Sequence, residues 1–272
     1  MNWHAIARND LRSALNERGV WALFAGFILG FSGLAALLVL LGNPEFEGYL
    51  STLAGGVGLL VPLAGIVLGY EAVIGERESG TAVLTLSMPH SRAGMIIGKL
   101  VGRTVLLTAV IAGAALITSA VILLTYPSFS LTRYVVFMLL AGVYGTVFLW
   151  VSAALSMALT TSRRVIATAF GTYIGLTLVW NPVISLTETI LFRGRPTPSR
   201  EPESWVTFLT FIGPDTSFSY LLSQALDIGT VPAVVADSSA TFIVPSVAVL
   251  ALAAWAVLPV IAGYISFRRS DL

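Results

Sequence analysis

Six stretches of mostly apolar residues, at about 20–41, 53–74, 101–125, 134–159, 165–187 and 243–266, limit what this chain can fold into more than any other feature. An α-helix needs roughly 20 such residues to cross the hydrocarbon layer of a bilayer. A membrane β-barrel would instead show segments of roughly 10 residues with alternating polarity. Composition agrees with buried or lipid-facing helices. Of 272 residues, 56% are hydrophobic and 11% charged, against about 25% charged in an ordinary soluble domain. The mean hydropathy is +0.88. The expected fold class is therefore all-α: a polytopic membrane protein with six transmembrane helices, forming one domain over residues 1–272. The first stretch is too long for a signal-peptide core and follows a helix-like arm, so it reads as a retained span.

Loop charge predicts the orientation. Arg8, Arg12 and Arg18, then Arg77, Arg92, Lys99 and Arg103, then Arg163, Arg164, Arg268 and Arg269 fall on one side. The other side carries Arg133, Arg193, Arg195 and Arg200, with Glu45 and Glu47 in its first loop. Cation-rich loops stay cytoplasmic, so both termini are expected inside a multi-pass cell-membrane protein.

Residues 1–19 form an amphipathic arm. Trp3, Ile6, Ala7, Leu11, Ala14 and Leu15 share one helical face, and His4, Arg8, Asn9, Arg12 and Asn16 the other. Such a pattern suits a helix lying in the membrane interface, its apolar side among lipid. The long connection 188–242 is expected on the extracytoplasmic side. Within it, Trp205–Ile212 is too short to span and suits an interfacial or re-entrant piece, and Ser217–Asp227 reads as a short helix with Asp215 and Ser217 as candidate N-caps.

Several chemistries are excluded or poorly supported. There is no cysteine, so disulfides, thiol catalysis and zinc–thiolate sites are out. His4 and His90 are far apart and make no metal-binding pair. A net charge of +1 gives no reason to expect nucleic acid. Gly94…Gly98-Lys99-Leu100 is one residue short of a phosphate loop and lacks the hydroxyl that would hold magnesium. No catalytic set is found, so no enzyme activity, metal or cofactor is expected in this chain. Ionisable residues are almost absent from the six stretches away from their ends, which argues against ion-coupled transport. The interior polar groups Ser32, Thr118, Tyr144, Ser152, Ser156 and Asn181 suit helix–helix hydrogen bonds. Gly26/Gly30, Gly65/Gly69 and Gly171/Gly175 suit close helix packing, within the chain or at a dimer seam. Pro62 and Pro182 are expected to kink or end their helices.

One polar island breaks the apolar pattern between the second and third stretches: Gly75-Glu76-Arg77-Glu78-Ser79-Gly80-Thr81, then Leu84 to Arg92, then Gly98-Lys99. Together with Tyr70-Glu71-Ala72-Val73-Ile74 it resembles the first cytoplasmic loop of ABC-2-type ABC transporter permeases, nearest the subgroup that includes the permease of the nitrous-oxide reductase maturation system. The six-span plan, arm and long last outer loop are similar across the whole chain. Gly213-Pro214-Asp215 resembles an Asn-Pro-x-Asp stretch of the family, without its Asn.

The resemblance implies a permease that works as a dimer with a separate ABC ATP-binding subunit, which would hold the ATP and magnesium. Residues 75–92 would then be a cytoplasmic coupling helix, with Glu76, Arg77, Glu78, Ser79, Gly80, Thr81, Met88, Pro89, Ser91 and Arg92 docking on that subunit. The residue chemistry suits docking on its own terms. Glu76, Arg77 and Glu78 offer charge-assisted contacts, Gly80 allows a turn, and Ser91 suits the cap of the next helix. Export is the expected direction. A membrane scaffold holding a cytoplasmic partner without transport is the alternative from the same loop.

Overall fold

The structure is a computed structural model that describes residues 3–42, 44–78, 92–191 and 204–269. Among them there is no strand. Six helices are long and apolar enough to cross a membrane: Arg18–Leu40, Phe46–Gly75, Ala93–Thr125, Leu131–Ala158, Ser162–Leu191 and Pro245–Arg269. An even number of crossings returns both ends of the chain to one side, here called the terminus side.

In chain order, the arm α1 (Trp3–Ala14) leads into the first span, α2 (Arg18–Leu40). The second span is α3 (Phe46–Gly69), which continues after a one-residue break into α4 (Glu71–Glu78). The third and fourth are α5 (Arg92–Thr125) and α6 (Leu131–Ala158). The fifth is composite: α7 (Ser162–Ile174), a π-helical segment at Gly175–Val179, and α8 (Trp180–Leu191). Two short helices follow, α9 (Ser204–Phe211) and α10 (Pro214–Leu226), then one turn, α11 (Ala233–Ala236), and the last span, α12 (Pro245–Arg269).

α6 is the central pillar. It packs against α3 on one flank and α12 on another, with α5 alongside. Glycine makes these contacts close. A methyl group on Gly65 would meet the Gly145 carbonyl and the Leu149 amide, and one on Gly69 the Leu149 carbonyl and the Ser152 side chain. Likewise Gly263 of α12 lies against the Ala154 backbone. Gly65/Gly69 is thus an internal packing motif. Gly26, Gly30, Gly171 and Gly175 face open space. Tyr49, Phe137, Tyr144, Phe148 and Phe218 fill the core between the pillars. Ser32 and Thr118 share a 2.8 Å hydrogen bond between α2 and α5, and Ser152 donates to the Ile66 carbonyl at 3.0 Å.

The prolines differ from their expected effect. α3 runs unbroken past Pro62. A proline nitrogen cannot donate, so the carbonyl four residues back is left free. That carbonyl is Gly58, and the Tyr144 hydroxyl of α6 donates to it at 3.4 Å. In the fifth span the helix widens to π geometry over Gly175–Val179, just before Pro182, and then resumes. A π-bulge relieves the clash of the proline ring with the turn before it.

The connection 188–242 begins later than expected, because the fifth span continues to Leu191. Its two short helices form a hairpin, closed by side chains on free carbonyls. Trp180 Nε1 donates to the Leu209 carbonyl at 3.0 Å, Trp255 Nε1 to Ile212 at 2.9 Å, and Ser217 Oγ to Phe211 at 2.8 Å. Asp215 and Ser217 are therefore not N-caps. Gly213 holds the cap position, Pro214 opens the helix, and Asp215 lies in its first turn.

Candidate functional site

Four of the predicted docking residues are described, and they lie beyond the terminus-side end of α3. Glu76, Arg77 and Glu78 occupy the last turn of α4, and Arg92 opens α5. Ser79, Gly80, Thr81, Met88, Pro89 and Ser91 lie outside the described residues.

What the structure adds is how the island is rooted. The amides of Val73 and Ile74 both donate to Ser156 Oγ, at 3.1 and 2.9 Å. These are donors of the first turn of α4, which no intrahelical carbonyl can serve. Serine on α6 thus caps α4 from the side. Ala72 and Val73 enter a small apolar cluster with Ile96 and Leu100 of α5, Ala153, Ala154 and Met157 of α6, and Phe267 of α12. α4 therefore cannot shift without moving three spans. Interiors are packed like crystals and transmit displacement.

The arm is rooted in the same place. α1 crosses the start of α5 at Gly98 and Gly102. A methyl group on Gly98 would come within 2.8 Å of the Trp3 carbonyl, and one on Gly102 within 3.0 Å of the Ala7 carbonyl. Part of the apolar stripe expected to sit among lipid is thus turned onto the protein. Between the two helices lies a buried ion cluster. Asp10 Oδ2 is 3.1 Å from Arg103 Nε, Asp10 Oδ1 is 4.0 Å from Lys99 Nζ, and Arg103 reaches Glu17 at 3.8 Å. The side chains of Asp10, Lys99 and Arg103 are each 8% exposed. Lys99 and Arg103, counted among the loop cations and expected on the helix leading from Ser91 into the third span, are buried charges on that helix. α5 begins at Arg92, where a helix leading from Ser91 into the third span is expected to start. The sequence signal was an acid within the arm's stripe, at Asp10 between Ile6 and Ala14, matched by Lys99 and Arg103 one turn apart.

A second polar group sits deep on the opposite side. α10 packs against α6 and α12, and its first turn is the innermost point of the α9–α10 hairpin. Asp215 Oδ1 lies 3.5 Å from the Tyr144 hydroxyl, midway along α6, and close to Gly58, midway along α3. A carboxyl group thus reaches the middle of the bundle from a connecting segment. The near absence of ionisable residues in the spans does not extend to the bundle interior. Hydropathy of the spans misses Asp215 because the hairpin carries it there. Asn181 of α8 donates to Thr216 Oγ1 at 3.2 Å and ties this point to the fifth span.

The comparison with known proteins comes down to one family. The sequence model for the ABC-2 family transporter protein matches residues 4–272. The chain belongs to that family. It is a transmembrane permease subunit of an ABC transporter. It is similar to the probable ABC transporter permease protein NosY of Stutzerimonas stutzeri, 28% identical over 273 residues that cover 97% of each chain. It is also similar to the protein of that name from Pseudomonas aeruginosa, 28% identical over 277 residues and 98% of each chain.

Proposed function

We propose that this permease couples ATP hydrolysis by a separate ATP-binding subunit to export across the cell membrane, working as a dimer of permease chains with both termini cytoplasmic. The coupling element is residues 75–92, with Glu76, Arg77 and Glu78 at its leading edge. One observation carries this reading: α4, which leads into the docking segment, is fixed to α5, α6 and α12 through Ser156 and a shared apolar cluster. A push on the docking segment by a closing ATPase dimer then reaches three spans at once. The arm, locked onto α5 by its ion cluster, follows the same movement. This chain does no phosphoryl chemistry. It converts the partner's motion into rearrangement of the spans. Membership of an ABC family and the cation-rich terminus side both support this arrangement.

The test is a gentle-detergent pull-down of the tagged chain from its own membranes, with mass spectrometry of what accompanies it. An ATP-binding subunit should copurify with the wild type and be lost on charge reversal of Glu76 and Glu78 together. Glu78→Lys alone should leave the chain folded and inserted while uncoupling ATP hydrolysis or weakening docking. A chain that arrives with other partners and no ATPase would instead favour the non-transporting scaffold.

A further inference from the structure

Asp215 is half-buried, and a carboxylate at mid-depth needs a reason, because even partial burial without a cation is costly. Among the described residues, no Lys, Arg or His lies within ion-pair distance of Asp215. No amide of its own helix bonds it either; its polar neighbour is the Tyr144 hydroxyl. A first-turn acid does complement a helix dipole, but that gain is available at any exposed helix start and does not require depth.

Asp215 does face a cavity of about 280 Å³. α10 lines it with one helical stripe, Asp215, Phe218, Ser219 and Leu222. α3 supplies Ser51, Gly55 and Gly58, and the π segment supplies Thr177. The Thr177 hydroxyl already donates to the Tyr173 carbonyl at 2.6 Å, so what it has left to offer a ligand is lone pairs. Gly58 keeps the floor open: a methyl group there would stand 3.7 Å from Asp215 Oδ1. Ser51 and Gly55 are exposed, so the cavity communicates with the surface nearer the side away from the termini.

We propose that this cavity binds a small cation, with the Asp215 carboxylate as its charge partner and the Thr177 and Ser219 hydroxyls as further oxygen donors. Carboxylate, hydroxyl and carbonyl oxygens suit hard metal cations, and the same set suits a compact ammonium group. The shared chemistry is a small cation held by oxygen. The site joins α3, α10 and the π segment, so an occupied site ties the hairpin to the second and fifth spans. The proposal stands on the membrane-spanning fold and does not depend on the ATPase partnership.

The experiment is thermal unfolding of the full-length chain in nanodiscs, titrated with sodium, calcium or methylammonium chloride against choline chloride at matched ionic strength. At least one probe should raise the wild-type midpoint saturably above the choline control. A metal-only response assigns an inorganic ion, and a methylammonium response an organic amine. Asp215→Asn should weaken the apparent affinity about tenfold or more, as expected when a charged oxygen partner is lost. Ser219→Ala should weaken it severalfold, and it serves as the test variant if Asp215→Asn does not insert. The proposal is overturned if no probe exceeds choline in the wild type, or if the folded variants respond as the wild type does.

Discussion

The two polar clusters inside this bundle handle charge in opposite ways. On the terminus side Asp10, Lys99 and Arg103 are buried together, acid against base, and the cluster joins the arm to the third span. At mid-depth Asp215 has a phenol hydroxyl and a cavity but, among the described residues, no cation. The first arrangement is a fastener: a cavity of about 230 Å³ adjoins it too, but there the acids and bases face one another as ion pairs. The second leaves a charge unspent beside open space, as a binding site does. Asp215 is half-buried where Asp10 is buried, but the sharper difference between the two sites is the charged partner.

The fastener should fail hard when one member goes. Asp10→Ala takes from buried Lys99 and Arg103 the acid they share, and losing one partner of a buried ion pair costs about 3–5 kcal/mol. The solubilised variant should melt far below the wild type, or accumulate poorly in the membrane. If Asp10→Ala melts like the wild type, the cluster is not holding the arm.

Gly98→Val attacks the same joint by shape. The added carbons would meet the Trp3 carbonyl, which as backbone cannot swing aside. Forcing extra volume into a tight contact costs about 1–3 kcal/mol. The expected sign is earlier protease cleavage in the arm, with the spans still protected. Gly26→Val, at a glycine facing open space, is the matched control and should change little.

These sites also show what the sequence discloses. Spans are legible because hydropathy is a sum over twenty residues and tolerates local error. Their ends are less so. Hydropathy alone starts the third span at 101, whereas the helix read from Ser91 onward agrees with α5 at Arg92; the pairing of Lys99 and Arg103 with Asp10, between segments far apart in the chain, is what the sequence hides. The short helices at Ser204–Phe211 and Pro214–Leu226 follow from composition, but their depth does not. That depth rests on packing of the second helix against α6 and α12, and of the first against α8 and α11. The link from Pro62 to Tyr144 is of the same kind: the free Gly58 carbonyl follows from one proline, but its donor comes from another span.

Asp215→Asn sharpens the contrast with Asp10. It removes a charge that lacks a cationic partner among the described residues and keeps the shape, so without added cation the midpoint should hold or rise slightly, by less than about 1 kcal/mol equivalent. Asp10→Asn should lower it. If both variants fall equally, Asp215 is a structural group like Asp10 and the distinction between fastener and site is lost.

The smallest effect belongs to a third kind of charge. Arg133 and Glu47 form a 2.8 Å pair on the side away from the termini, with side chains 33% and 56% exposed. Water screens such a pair, and its net worth is about 0–1 kcal/mol. Glu47→Gln should therefore barely move the midpoint, even though its distance is shorter than any in the Asp10 cluster. Arg133 also bonds the Leu226 carbonyl at the end of α10, so the arginine keeps a partner when Glu47 is neutralised. Salt should separate the cases: high ionic strength should erase what little Glu47 contributes and leave the buried Asp10 cluster largely untouched. A large loss in Glu47→Gln at high salt would mean that distance, not burial and partnership, sets the value of charge in this bundle.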